Sequence, residues 1–236
     1  MPVAVIVPNS ASSDLQSRRH GRCAHDAGLA CRIRDMTFLD IIHKSKSSQL
    51  FLIILEGREY VLKVYHRHIR KSYDVKYREI DPFNCESQAY RSLSGGDGCG
   101  QGLAPRFFGE CEAVSTNGIP HLIDFASDVV PPASILLEYI PDMHMLDLST
   151  FTIERGERFK QMLRVIHSLG ILHGDVEARH MMVQPSTGRT LWLDFDCAQT
   201  FLPDRIPARW PQFFQTELAT VDQLVKALVR PELLTD

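Results

Sequence analysis

No stretch of the 236 residues stays apolar long enough to cross a membrane, and the opening run from Pro2 to Pro8 is too short, and lacks the positive flank, for a secretion signal. The six cysteines, Cys23, Cys31, Cys85, Cys99, Cys111 and Cys197, form no CxxC pair, so a disulfide framework is not expected and reduced thiols are. His20, Cys23, His25 and Cys31 lie close together, at a spacing that matches no common structural zinc site. Neither sign of charge dominates: 26 lysines and arginines against 29 aspartates and glutamates leave −3, with no general pull toward nucleic acid or an anionic membrane. The locally basic stretch from His66 to Lys76 reads as a solvated loop face. Internal repeats are absent, and the glycines from Gly95 to Gly102 follow a helix without a Walker lysine or a GxGxxG pattern, so they read as a connection with no chemical role. A cytoplasmic protein is expected, the nucleus being the alternative.

What is present is the composition of an ordinary globular chain, 44% hydrophobic and 23% charged, enough for one large domain or two closely packed lobes. Residues 1–35 mix serine, arginine, histidine and small residues without periodicity and read as a flexible leader, so the domain is expected to span 36–236. Apolar runs at Phe38–Ile42, Leu50–Leu55 and Tyr60–Tyr65, the last two separated by Glu56-Gly57-Arg58-Glu59, predict an antiparallel sheet. Asp81-Pro82 opens a predicted helix whose inward stripe is Phe83, Glu86, Ala89, Tyr90 and Leu93. After an irregular stretch come a buried strand, Ile135–Ile140, and a helix from Glu154 to Leu169 stopped by Gly170. Two short strands, Met181–Val183 and Leu191–Leu193, and a last helix from about Thr216 to Val229 complete the reading. The fold class predicted is α+β.

Two charges stand on faces that are otherwise apolar. Strand alternation puts Val61, Lys63 and Tyr65 on one face, and Glu86 lies on the buried stripe of the following helix. Burying either alone is costly and pairing them removes the difficulty, the plainer alternative being a strand-edge lysine and a solvated glutamate. Further on, His173-Gly174-Asp175-Val176-Glu177-Ala178-Arg179-His180 resembles a kinase catalytic loop, and Leu193-Asp194-Phe195-Asp196 resembles the metal-binding segment that follows it. Strand lysine, helix glutamate, hinge strand, HGD loop and DFD aspartate occur in the order found in the protein-kinase-like superfamily, across nearly all of the chain after Met36. HGD in place of HRD is similar to aminoglycoside and choline kinases, and the whole chain most resembles short atypical kinase-like proteins of filamentous fungi.

That resemblance implies a bilobal fold, with an antiparallel-sheet N-lobe over about 36–140 and a short, mainly helical C-lobe over about 141–236. It implies an ATP-dependent phosphotransferase moving a γ-phosphoryl group to a hydroxyl of a protein or a small molecule, with nucleotide and an unidentified acceptor as partners and no nucleic acid or membrane. Lys63, held by Glu86, would grip the nucleotide phosphates. Asp175 would take the acceptor proton, with Arg179 beside the γ-phosphate, and Asp194 would hold Mg2+ or Mn2+. The backbone from Glu138 to Ile140 would meet adenine, and Val61 and Met182 would sandwich it, although on residues alone these are core positions. Asp222 resembles the helix aspartate that anchors the catalytic loop, a surface position being the alternative.

The chain departs from the family in three places. His43-Lys44-Ser45-Lys46-Ser47-Ser48-Gln49 replaces the glycine-rich loop, leaving Lys44, Lys46 and serine hydroxyls as candidate substitutes. His180 occupies the position of the second metal-binding asparagine, an imidazole where a hard oxygen is usual. Only 40 residues follow Asp196, with no Ala-Pro-Glu segment. These departures frame the alternative of a pseudokinase acting as a nucleotide-binding or scaffolding module.

Overall fold

The computed structural model describes residues 32–95 and 102–229, and the chain is α+β. The His20–Cys31 cluster and most of the expected leader lie outside the described residues. Strands β1 (Thr37–Lys44), β2 (Ser48–Leu55) and β3 (Arg58–Tyr65) form a meander. With β4 (Phe107–Cys111) and β5 (Ala133–Glu138) they make an antiparallel sheet of five strands in the order β1-β2-β3-β5-β4. The β2–β3 turn is only two residues, Glu56 and Gly57, with φ of 53° and 74°, the doubly positive conformation that suits the twist of a hairpin.

Helix α1 (Pro82–Ser94) starts where Asp81 caps it, its carboxylate accepting the N–H groups of Phe83 and Asn84 at 3.0 and 3.2 Å, with Pro82 preset in the first turn. The two-residue strand β6 (His144–Met145) pairs with β8 (Met181–Gln184), which pairs in turn with β9 (Arg189–Trp192). Helix α2 (Ile153–Ser168) precedes β7 (Ile171–Leu172), which pairs with β10 (Gln199–Thr200), and α3 (Pro211–Val229) ends the described chain. No helix among the described residues is long and apolar enough to cross a membrane.

The sheet separates two hydrophobic cores because its side chains alternate. Leu62 and Val64 face an outer core with Phe51, Ile53, Leu122 and Phe125, while Tyr65 and Val61 face an inner one. The inner core runs from the sheet through Phe83 and Tyr90 of α1 to Phe159 and Leu163 of α2, Trp192, Phe195 and Val221 of α3, so both halves of the molecule share it. Each such side chain contributes about 1.5–3 kcal/mol on burial.

Several boundaries differ from the sequence reading. Ile33 is 3% exposed and belongs to the outer core, so packing begins ahead of Met36. The irregular stretch contains β4, hidden by the bulge at Gly109 (φ 144°), where the register with β5 shifts. Helix α3 begins at Pro211 rather than near Thr216: proline is tolerated in a first turn, and Phe214, Leu218, Val221 and Val225 continue one apolar stripe across it.

Candidate functional site

Lys63 on β3 extends from the inner face of the sheet to α1 and to the segment after β9. Its Nζ donates to Glu86 Oε2 and to Asp194 Oδ1, both at 2.6 Å, while the Tyr65 hydroxyl donates to the same Glu86 oxygen at 2.8 Å. The lysine and glutamate side chains are 6% and 2% exposed and that of Asp194 36%, so one oxygen-rich group of the trio faces out of the core. Burial pulls the Lys63 pKa down, but the charges of Glu86 and Asp194 outweigh it and hold the ammonium. Burial raises the Asp194 pKa, and the charge and hydrogen bond of Lys63 overcome that to lower it. Asp196 is raised, first by burial and then by the charge of Asp194.

The loop carrying Asp175 is fixed from below. Glu217 on α3, 8% exposed, accepts the N–H groups of His173 at 3.1 Å and Gly174 at 2.6 Å, and lies 2.7 Å from His167 Nε2. This anchor is the functional residue that the sequence reading missed. Asp222, expected either as the anchor or at the surface, pairs with the part-buried Lys160 at 3.1 Å and the exposed Lys226 at 2.6 Å. Five residues of α3 separate the two acids, about 1.4 turns, so they point to different faces and only the one on the buried stripe reaches the loop.

From above, the loop is clasped to the segment after Asp194. Gly174 has φ 84°, and a Cβ there would lie 2.2 Å from the Cys197 carbonyl oxygen, a contact no side chain allows. His173 is fully buried, with its Nε2–H donating to the Leu193 carbonyl at 3.0 Å and its ring packed on Phe195 and Trp192. Burial pushes its pKa down to about 4 from the ordinary 6.5, with Glu217 opposing. The fold therefore keeps this histidine neutral, and its contribution is complete above pH 6.5 and lost as pH falls toward 4 while the unfolded chain takes up the proton. At pH 4.5 that loss amounts to about 2–3 kcal/mol. Urea denaturation at pH 7 and pH 4.5, in wild type and His173→Asn, checks it: equal losses in the two proteins would remove His173 as the source.

Asp175 Oδ2 accepts from Arg179 Nη2 at 2.8 Å, and Arg179 also pairs with Glu177. The Asp175 carbonyl accepts from His180 Nδ1 at 2.9 Å, which leaves His180 Nε2 as an acceptor for Arg179 Nε at 3.1 Å, with Asp194 Oδ2 at 3.4 Å. His180, assigned above to a metal, thus spends its lone pair on Arg179 and stands between the Asp175 loop and Asp194. Among the described residues no group of three metal-ligating side chains converges. Cys85 and Cys197 are free thiols whose pKa values burial pushes up to about 12, which disfavours the reactive thiolate.

At the end of β5 the Glu138 carboxylate takes both arms of the Arg189 guanidinium, at 2.7 and 2.8 Å, and the Glu138 N–H is bonded to the Arg106 carbonyl at 2.8 Å. Of the expected hinge, Glu138 cannot lend its N–H to a ligand, and Ile140 lies beyond that bond. Val61 and Met182 are both half-buried. Register adds a residue the sequence reading missed, since Leu52 pairs directly opposite Val61 and shares its face.

The β1–β2 turn is held by serine. Ser45 Oγ accepts the N–H groups of Ser47 at 3.2 Å and Ser48 at 3.0 Å, so the amides that would cradle phosphate in a glycine loop are already bonded. Lys44, a candidate substitute, is bonded to Asp124 at 2.6 Å in the Pro120–Phe125 turn beside the outer core.

No family model matches the chain. Among curated proteins it is similar to a serine/threonine-protein kinase, pim-2 of Danio rerio, with 26% identity over 158 residues, covering 62% of this chain and 46% of that protein. The likeness is to a protein kinase. The matched stretch spans less than half of that relative, and together with the α+β architecture it suggests the protein-kinase-like superfamily. The residues brought together in this chain are Lys63, Glu86 and Asp194 as one cluster, and Asp175, Arg179 and His180 as a second beside it, with His180 Nε2 3.4 Å from Asp194 Oδ2.

Proposed function

We propose that this chain is an ATP-dependent, protein-kinase-like phosphotransferase of the cytoplasm, with a sheet lobe to about Ile140 and a helical lobe from about Pro141. The observation that carries the reading is the position of Lys63 between Glu86 and Asp194, with 2.6 Å to each. A cation buried by two carboxylates from different elements is costly as scaffolding alone, and is what a triphosphate requires: a fixed positive charge beside a metal-binding oxygen.

In this reading Glu86 orients Lys63 toward the phosphates, and the outward face of Asp194 offers a hard oxygen to magnesium or manganese, ions that complete their shell mostly with phosphate oxygens and water. The ion would supply neutralisation of the phosphate charge. Asp175, oriented by Arg179, receives the proton of the acceptor hydroxyl, and Arg179 faces the charge that develops on the transferring group. Val61 and Leu52 cover the base from the sheet, Met182 supports it from β8, and the backbone at Ile140 supplies the hinge contact. The acceptor is a protein or small-molecule hydroxyl.

One observation favours the second reading, a pseudokinase that binds nucleotide without turnover: the Ser47 and Ser48 amides are committed to Ser45 and the one ring lone pair of His180 to Arg179. Thermal denaturation with saturating ATP, with and without magnesium or manganese, tests the site in wild type and Asp194→Ala. A ligand present at 100-fold its Kd stabilises by about 2.7 kcal/mol, a rise of about 5–10 °C for a domain of this size. The expected result is a metal-dependent rise in the wild type that Asp194→Ala abolishes. No shift with any nucleotide would end both the kinase and the nucleotide-binding readings.

A further inference from the structure

The chain between β3 and α1, residues 66–80, and the segment 202–213 ahead of and into α3 lie side by side. Glu79 N–H donates to Gln199 Oε1 at 2.9 Å, Gln199 Nε2 returns a bond to the Glu79 carbonyl at 3.0 Å, and Arg209 stands 4.9 Å over the Tyr77 ring. Together they hold seven lysines and arginines against three aspartates and glutamates, a local excess of four in a chain whose total is −3.

The acids in the 66–80 loop are consumed by its own backbone. Asp74 accepts the Lys71 N–H at 2.6 Å and pairs with His68 at 2.8 Å, and Glu79 Oε1 accepts the N–H groups of Ile80 and Asp81 at 2.8 and 3.0 Å. Arg70 is also internal, closing the loop on the carbonyls of Val75 and Arg78 at 2.7 and 2.9 Å. The outward face is left to Lys71, Lys76, Arg78 and Arg209, all exposed, and among the described residues none of the four has a carboxylate within ion-pair distance. Between them stand Tyr73 and Tyr77, 77% and 57% exposed. Water does not demand large aromatic side chains at such positions, whereas an interface does.

We infer that this face, Lys71, Tyr73, Lys76, Tyr77, Arg78 and Arg209, docks an acidic polypeptide segment of another protein, whose carboxylates pair with the four cations and whose apolar side chains cover the two tyrosines. A long polyanion is disfavoured, because the rest of the chain carries an excess of seven negative charges that would repel whatever extends beyond the patch. Docking here is independent of the transfer reaction and of nucleotide binding.

The test is fluorescence anisotropy of the purified full chain with three labelled probes: an eight-residue peptide of alternating glutamate and leucine, the same peptide with lysine for glutamate, and an eight-nucleotide oligothymidylate. The acidic peptide should bind at least about tenfold more tightly than either other probe and weaken about tenfold between 50 and 500 mM salt. Lys71→Glu/Lys76→Glu/Arg78→Glu should weaken it about tenfold or more, and because these side chains are exposed the melting temperature should not move. Arg209→Gln, far from those three in sequence, should weaken it two- to fivefold. No binding of the acidic peptide, equal binding of the lysine peptide, or binding unchanged in both variants would overturn the inference, and tighter binding of oligothymidylate would replace it with a nucleic-acid site.

Discussion

Glu217→Ala should cost about 3–5 kcal/mol of stability, lowering the melting temperature by about 10 °C or more. The carboxylate accepts two buried backbone N–H groups, from His173 and Gly174, and lies against His167. Alanine leaves both amides without an acceptor where water does not enter, at about 1–3 kcal/mol each. Glu217→Gln, which keeps one carbonyl oxygen, should lose roughly half as much. Asp222→Ala, five residues further along α3, should move the urea midpoint little, since Lys226 is exposed and the part-buried Lys160 keeps Glu157 as a partner. Equal losses for Glu217 and Asp222 would mean that the loop is not anchored through α3.

Gly174→Ala should be nearly as damaging, at about 3 kcal/mol, and Gly174→Arg, which converts HGD to the HRD of most protein kinases, should prevent the loop from docking at all. Two causes add: the backbone at φ 84° is disfavoured for any L side chain, and the new Cβ would meet the Cys197 carbonyl at 2.2 Å. The neighbour is backbone, with no rotamer to yield. Urea unfolding of the alanine variant measures the cost, and loss of protection from amide exchange at 172–176 and 194–198 locates it. An arginine variant as stable as wild type would show that the clasp between the two segments is dispensable. Glycine here follows from a close backbone approach, not from a requirement for a flexible loop.

The elements legible in the sequence were those whose evidence is local. Asp81-Pro82 starts α1 through a cap that involves only its own next residues, and the period-two pattern of β3 sorts Lys63 and Tyr65 from Leu62 and Val64 without knowledge of the partners. What was not legible depends on how distant elements lie against each other. Glu217 and Asp222 are both acids beside an apolar stripe, and which of them meets the Asp175 loop is decided by how α3 lies on α2. The same holds for the Lys44–Asp124 pair, 80 residues apart, and for β4, whose glycine bulge breaks the alternation that would have announced it.

The serine-closed turn between β1 and β2 has a thermodynamic consequence. A glycine-rich loop is loose until a ligand arrives, and ordering it then costs on the order of 1–2 kcal/mol for each residue that stops moving. In this chain Ser45 immobilises Ser47 and Ser48 as the sheet folds, so that entropy is lost once, before any ligand is present. Whatever enters beneath the turn meets a roof already set, and its heat of association will not be masked by the freezing of a mobile flap.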